Sequence, residues 1–247
     1  MYICIAGKNK CAIDVLKYIK SKKKYKGKIL VLPNQSDTGR DNWQKSFKKF
    51  AKENKIKIIK LADLYKIQNL FFFSIEYEKI IDPKKFKSNK LFNIHFSLLP
   101  KYRGCHTNFY QILNGEKYSG VTLHKINSGI DSGDVIKQLK FKINLNDSAF
   151  ENYKRLMKYS VIIFKNNLNR ILLKRYKPKK QRLRNGSYFS RNSVNYNIIK
   201  KINYLDNSLK THNKIRSLIF PPFQLPIVNG MRVKKSIYKN NKIYLYD

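Results

Sequence analysis

Short apolar runs recur along the first hundred residues, and segments of helical periodicity separate them. This alternation constrains the fold more than any other feature of the chain. Residues 2–6 (YICIA) end at Gly7, and residues 11–19 then repeat apolar side chains at helical spacing. Residues 28–32 (KILVL), 56–60, 70–74 (LFFFS) and 91–95 (LFNIH) read as further strands. LFFFS is almost wholly apolar, as strands covered on both faces are. Residues 41–52 (DNWQKSFKKFAK) read as an amphipathic helix with Asp41 or the preceding turn near its cap. The pattern predicts an α/β fold, a doubly wound, mostly parallel sheet whose ligands bind beyond the carboxyl ends of its strands. The turn after the first strand holds one glycine, so the G-x-G-x-x-G dinucleotide fingerprint is absent.

Asn93 and His95 stand at such a carboxyl end. Side chains two residues apart leave the same face of a strand, so these two point together while Phe92 and Ile94 turn to the other side. Pro100 and Arg103-Gly104 then punctuate a loop. Residues 120–124 (GVTLH) read as a second strand, and 128–133 (SGIDSG) as a tight turn carrying Asp131 between Gly129 and Gly133. An amide, an imidazole and a carboxylate on three pieces of backbone make a set suited to acyl transfer: an oxyanion donor, a base and a group to orient the base. A lone histidine is by default a core residue; the Asn-x-His spacing ahead of that loop reverses the default for His95. His124 reads as a structural hydrogen-bonding residue, His106 equally as a surface-loop residue or a substrate contact, and Asp134 as the alternative carboxylate. His212 has no readable context.

Beyond Val135 the pattern changes. Residues 136–143 read as a strand, and a long helix opens at Asp147 or Ser148 and runs to about residue 173, with Leu156, Ser160, Ile163 and Phe164 on one face. The basic stretch 176–187 carries Pro and Gly, which places a boundary between residues 1–176 and a small α+β appendage, 177–247. In that appendage a polar helix is expected from Ser193 to about Ile219. A Pro-rich corner at 220–226 and alternating strands up to Tyr246 follow it.

Composition narrows the function classes. With 247 residues and 42% hydrophobic content the chain can bury one sizeable core. No uncharged apolar run is long enough to cross a bilayer, so membrane insertion is not expected. The first residues lack a charged stretch ahead of the apolar run, and the three cysteines form no close-spaced pair, so a reducing cytoplasm is expected. No ligand-type spacing of His, Cys or carboxylates implies a metal. The net charge of +38 is mostly lysine spread along the chain, and arginine, the usual reader of nucleic acid, is sparse. Nucleic acid is therefore not the expected partner, although a basic RNA-binding protein on the same fold is the alternative from outside the enzymes. An anionic small molecule fits the charge equally.

The ordered series N-x-H, S-L-L-P, R-G, G-V-T-x-H and D-x-G-D between residues 93 and 134 resembles the folate-dependent formyltransferases. The resemblance implies N10-formyltetrahydrofolate as co-substrate and Asn93, His95 and Asp131 as the catalytic residues. It also implies folate contacts at Phe73, Tyr77, Ser97, Leu98, Leu99 and Gly129. Three branches compete. The tRNA formyltransferases are longer, and the glycinamide ribonucleotide enzymes have a different first turn and no need of the tail. Residues 33–46 (PNQSDTGRDNWQKS), 214–216 (KIR) and 221–230 (PPFQLPIVNG) resemble the sugar N-formyltransferases. That branch implies a dTDP-linked amino sugar, 4-amino-4,6-dideoxyglucose first and a 3-amino isomer second, and a homodimer paired through 177–247. A cell-surface polysaccharide such as O-antigen is then the implied end product. Substrate contacts are expected at Lys8 and Arg40 for the pyrophosphate, at His106, and at Phe223 and Gln224 beside the base. His95 is read either as the base or as a charged stabiliser of the oxyanion.

Overall fold

The computed structural model describes residues 1–22, 25, 27–203 and 206–247. In chain order the first elements are β1 (Tyr2–Gly7), α1 (Asn9–Lys20), β2 (Lys28–Pro33), α2 (Phe47–Glu53), β3 (Lys57–Ile58), α3 (Leu61–Tyr65), β4 (Leu70–Ile75) and β5 (Leu91–His95). Next come β6 (Arg103–Gly104), α4 (Thr107–Leu113), β7 (Tyr118–Lys125), β8 (Val135–Lys142) and α5 (Ala149–Leu172). The remainder is β9 (Tyr188–Phe189), α6 (Tyr196–Ile199), β10 (Lys201–Ile202), α7 (Leu209–Leu218), β11 (Ile227–Val228), β12 (Met231–Arg232), β13 (Lys235–Lys239) and β14 (Lys242–Tyr246). The chain divides into two compact units, one of residues 1–95, 121–139 and 157–184, the other of residues 96–120, 140–156 and 185–247.

The first unit carries a seven-stranded sheet in the order β3-β2-β1-β4-β5-β7-β8. Strands β1 to β5 run parallel, and β7 returns antiparallel to β5. The chain winds outward from β1 through β2 and β3, then resumes on the other side at β4, so the sheet is doubly wound with its switch between β1 and β4. The expected architecture and its mostly parallel sheet are thus present. The sequence explains why β1 and β4 lie at the centre: Ile3, Cys4, Ile5, Ala6, Leu70, Phe72 and Phe73 are fully buried. Phe73 stacks on Phe92 at 5.2 Å and meets Phe164 edge-on at 5.0 Å. Burying each such ring contributes roughly 1.5–3 kcal/mol.

Two sequence expectations are corrected here. The helix expected from residue 41 begins at Phe47, where Ser46 caps it and Asp37 and Asp41 hold N–H groups on either side of the cap. Asp41 accepts the Ser46 N–H, Asp37 accepts the Lys48 N–H, and Ser46 itself caps α2 by accepting from the Lys49 N–H at 2.9 Å. The third strand shrinks to two exposed residues at the sheet edge. Part of the stretch 176–187, where the boundary is expected, is tied to the sheet: Lys179 and Val135 exchange two backbone hydrogen bonds of 2.8 Å, and the Tyr176 ring packs edge-on against Phe92.

In the second unit, Ser148 opens α5 as one of the two expected caps. Its hydroxyl accepts from the Phe150 N–H at 3.2 Å while Glu151 accepts from the Ser148 N–H at 3.0 Å, a reciprocal capping box. The single helix expected from 193 to 219 is broken into α6 and α7 with β10 between them; residues 204 and 205 of that stretch lie outside the described residues. Ser208 restarts the helix by accepting from the Thr211 N–H at 3.1 Å. Phe109, Ile202, Ile215, Leu218, Leu225, Val228 and Val233 form this unit's core. Among the described residues no helix is long and apolar enough to cross a membrane.

Candidate active site

The polar cluster of the first unit is built on β5 and β7. Their antiparallel register sets Asn93 opposite His124 and His95 opposite Thr122. Phe92 and Ile94 are buried, as the alternation predicts. The turn after β7 then brings back a carboxylate. It is compact because Gly133 lies against β7, where a Cβ would meet the Lys125 carbonyl oxygen at 1.8 Å. Asp131 sits in the left-handed region at φ +48°, uncommon for a residue with a side chain.

The Asp131 carboxylate holds the cluster together. Its Oδ2 lies 3.3 Å from His95 Nδ1, and its Oδ1 accepts from Asn93 Nδ2 at 3.2 Å and lies 3.6 Å from His124 Nε2. His124 Nδ1 is 2.8 Å from the Lys125 carbonyl, which can only accept, so that nitrogen carries a hydrogen. In the neutral ring Nε2 is then an acceptor, and Asn93 Nδ2 lies 3.1 Å from it. The Asn93 amide therefore points both N–H groups at named acceptors, His124 Nε2 and Asp131 Oδ1, and cannot be flipped without setting its oxygen against the carboxylate. His95 and His124 are nearly buried, and Asp131 keeps a small exposed area. A partly buried carboxylate paired with an imidazole, beside an oriented amide, can move a proton and donate to a developing oxyanion.

Asn93, His95 and Asp131 are brought together as expected, and His124 joins them as a member that sequence reading had assigned to structure alone. Gln181 was missed altogether; its Nε2 donates to the Asp131 carbonyl at 3.0 Å and to the Gly133 carbonyl at 2.6 Å. No local signal marks it, since the basic, Pro- and Gly-containing run around it reads only as a boundary.

The other expected contacts fare unevenly. Phe73 is fully buried between Phe92 and Phe164. Tyr77 is half-buried against the core, and burial first, then the charge of Glu78, pushes its phenol up to about 12. Gly129 is exposed at the tip of the Asp131 turn. Lys8 precedes α1 and stands near Glu78. Burial pushes the Glu78 carboxyl up, but the Ser36 hydroxyl, the Gln35 and Ser36 N–H groups and the Lys8 charge outweigh burial and hold it low. Arg40 is exposed and forms no ion pair with the described residues.

Ser97, Leu98, Leu99, His106, Phe223 and Gln224 belong to the second unit. Ser97 is buried and its hydroxyl donates to the Lys101 carbonyl at 2.7 Å, while Leu99 is buried and Leu98 half-buried. His106 Nε2 donates to the Arg191 carbonyl at 2.8 Å and its Nδ1 accepts from the Tyr196 hydroxyl at 3.1 Å, so the half-buried ring ties down residues 191–196. Phe223 is 68% exposed and stacks on Phe220 at 5.5 Å. Gln224 closes that corner by backbone hydrogen bonds with Phe220. Among the described residues no three His, Cys, Asp or Glu side chains are grouped to hold a metal ion.

Comparison with known proteins follows this geometry. A solved structure described as WlaRD, a sugar 3N-formyl transferase in the presence of dTDP and 5-N-formyl-THF, is 47% identical. It superposes with a TM-score of 0.92 over 97% of this chain and 87% of its own. The N-formyltransferase from Helicobacter canadensis, in complex with folinic acid and dTDP-3-aminofucose, is 45% identical with a TM-score of 0.89, over 95% of this chain and 87% of its own. Methionyl-tRNA formyltransferase of Malacoplasma penetrans is 33% identical over 202 residues, 78% of this chain and 61% of that protein. The chain spans less than two thirds of the length of the curated relatives it matches. The formyl transferase family model matches residues 3–168, a span that takes in Asn93, His95, His124 and Asp131. This chain therefore belongs to the formyl transferase family.

Proposed function

We infer that the chain moves a formyl group from N10-formyltetrahydrofolate to the amine of a dTDP-linked 3-amino sugar. The observation that carries this reading is the pair of solved structures at 47% and 45% identity, one a sugar 3N-formyl transferase with dTDP and a formyl folate, the other holding folinic acid and dTDP-3-aminofucose. The sequence resemblance favours the 4-amino sugar; the description of one structure as a sugar 3N-formyl transferase and the dTDP-3-aminofucose bound in the other support the 3-amino isomer instead. Homodimers paired through residues 177–247 and a cytoplasmic setting belong to the same proposal.

The chemistry follows from the cluster. The sugar nitrogen bonds to the formyl carbon, a tetrahedral oxyanion forms, the bond from carbon to N10 breaks, and the proton lost by the amine ends on N10. Asn93 supplies the oxyanion with an N–H. Asp131 holds Nδ1 of His95, so Nε2 is the ring atom that takes the amine proton and passes it on.

The test is a formyl-transfer assay on dTDP-3-aminofucose, dTDP-4-amino-4,6-dideoxyglucose, glycinamide ribonucleotide and Met-tRNA, each with a His95→Ala control. Transfer to the 3-amino sugar, lost in the control, supports the reading. Transfer to Met-tRNA alone would move the function to the relatives of that name.

A further inference from the structure

The turn that carries Asp131 has three restraints. Gly133 rests on the Lys125 carbonyl, the Lys125 N–H donates to the Asp134 carbonyl at 2.9 Å, and the Ser132 hydroxyl donates to Asn127 Oδ1 at 2.9 Å. None of these touches the peptide of Asp131 itself. Gln181 does: one amide nitrogen donates to the Asp131 carbonyl and to the Gly133 carbonyl, on either side of Ser132. The strap that brings it there is anchored two residues earlier, where Lys179 and Val135 exchange backbone hydrogen bonds.

The other end of the Gln181 side chain carries the sharper information. Its Oε1 is buried and makes no hydrogen bond with the described residues. A buried acceptor left unsatisfied is unfavourable, and such atoms in folded proteins call for an explanation. Flipping the amide would not relieve it, because the oxygen would then face two carbonyls. The site uses the donor end of this residue and tolerates the acceptor end.

We propose that Gln181 is a positioning residue for the transfer reaction: it holds the left-handed backbone of Asp131, and so sets the carboxylate against His95 and Asn93. The inference rests on the formyl-transfer reading of that cluster. A displacement of about 1 Å in such an arrangement can slow the chemical step by roughly a hundredfold without weakening binding.

Three variants test it, assayed as full-length protein beside His95→Ala. Gln181→Leu removes both donors, Gln181→Glu keeps the shape but sets an acceptor against the carbonyls, and Gln181→Lys keeps donors and discards the unused acceptor. The expected result is a fall in kcat of about tenfold to a hundredfold for the Leu and Glu variants, with KM for both substrates within about twofold. Gln181→Lys should recover most of that loss. Wild-type kcat in Gln181→Leu overturns the proposal, as does equal loss in all three variants, which would make the residue a packing element. If His95→Ala keeps full activity, the reading of the cluster fails first. If it loses activity while Gln181→Leu does not, only the positioning role fails.

Discussion

Two buried histidines, one in each unit, differ in what their rings face. In the second unit His212 is fully buried on α7; one ring nitrogen pairs with the Ser236 hydroxyl at 2.8 Å and the other with the Leu145 carbonyl at 3.1 Å. Both partners are neutral, and burial first, then the charge of Arg216, pushes its pKa from the ordinary 6.5 down to about 4. In the first unit His95 is almost as buried, yet it faces a carboxylate that two further polar side chains share. The residue type is the same and the exposure is similar. What differs is the partner: His95 faces a carboxylate, whereas the Leu145 carbonyl beside His212 only partly offsets the cost of burying a charged ring.

That contrast breaks most readily at the reacting groups. His95→Ala should lower kcat by about 10²–10⁴, and Asn93→Ala by about 10²–10³, in steady-state formyl transfer. His212→Gln should leave kcat per folded molecule near wild type; a comparable loss there would erase the distinction between the two histidines.

The next effect is smaller and tests the tautomer of His124. His124→Leu removes the acceptor that holds one Asn93 N–H, so kcat should fall by roughly tenfold or more as the amide loses its orientation. His124→Gln, whose side-chain oxygen can accept, should lie between the two. Unchanged kcat in the Leu variant would mean that Asp131 alone orients the amide.

Stability supplies the third handle. The folded pKa of His212 is depressed, so its neutral form stabilises the fold above the unfolded value of 6.5. As pH falls from about 6.5 toward 4 the unfolded chain takes up a proton that the folded chain refuses, and stability is lost over that window. Thermal unfolding should show Tm declining across the window in wild type and less steeply in His212→Gln. The smallest effect belongs to the capping box: Ser148→Ala should lower unfolding free energy by about 1 kcal/mol in denaturant titrations, without touching either histidine.

The parts of the site legible in the sequence were those set by local rules. Strand alternation put Asn93 and His95 on one face, and Gly129 and Gly133 marked a turn able to carry Asp131 inward. What was not legible depends on contacts between distant segments. That His124 faces Asn93 follows from the antiparallel register of β5 and β7, which no single strand encodes. Gln181 reaches the turn from a stretch whose lysines, proline and glycine read as a boundary, because the backbone bridge to Val135 leaves no mark in composition. Phe73 could not be placed from sequence, because an aromatic in a central strand can serve a core or a ligand equally; in the fold it packs between Phe92 and Phe164. The helix after residue 41 starts late because Ser46 is the residue that caps it, with Asp41 holding the Ser46 N–H and Asp37 the Lys48 N–H, contacts that sequence spacing alone does not assign.

The decisive measurement is the initial rate of formyl transfer from N10-formyltetrahydrofolate to dTDP-3-aminofucose, wild type against Asp131→Asn. Saturable transfer by the wild type that falls by about a hundredfold or more in the variant is the expected result. Equal rates in both proteins would contradict the assignment of the β5–β7 cluster as the reaction centre. No transfer to the sugar, with transfer to Met-tRNA under the same conditions, would contradict the assignment of the acceptor.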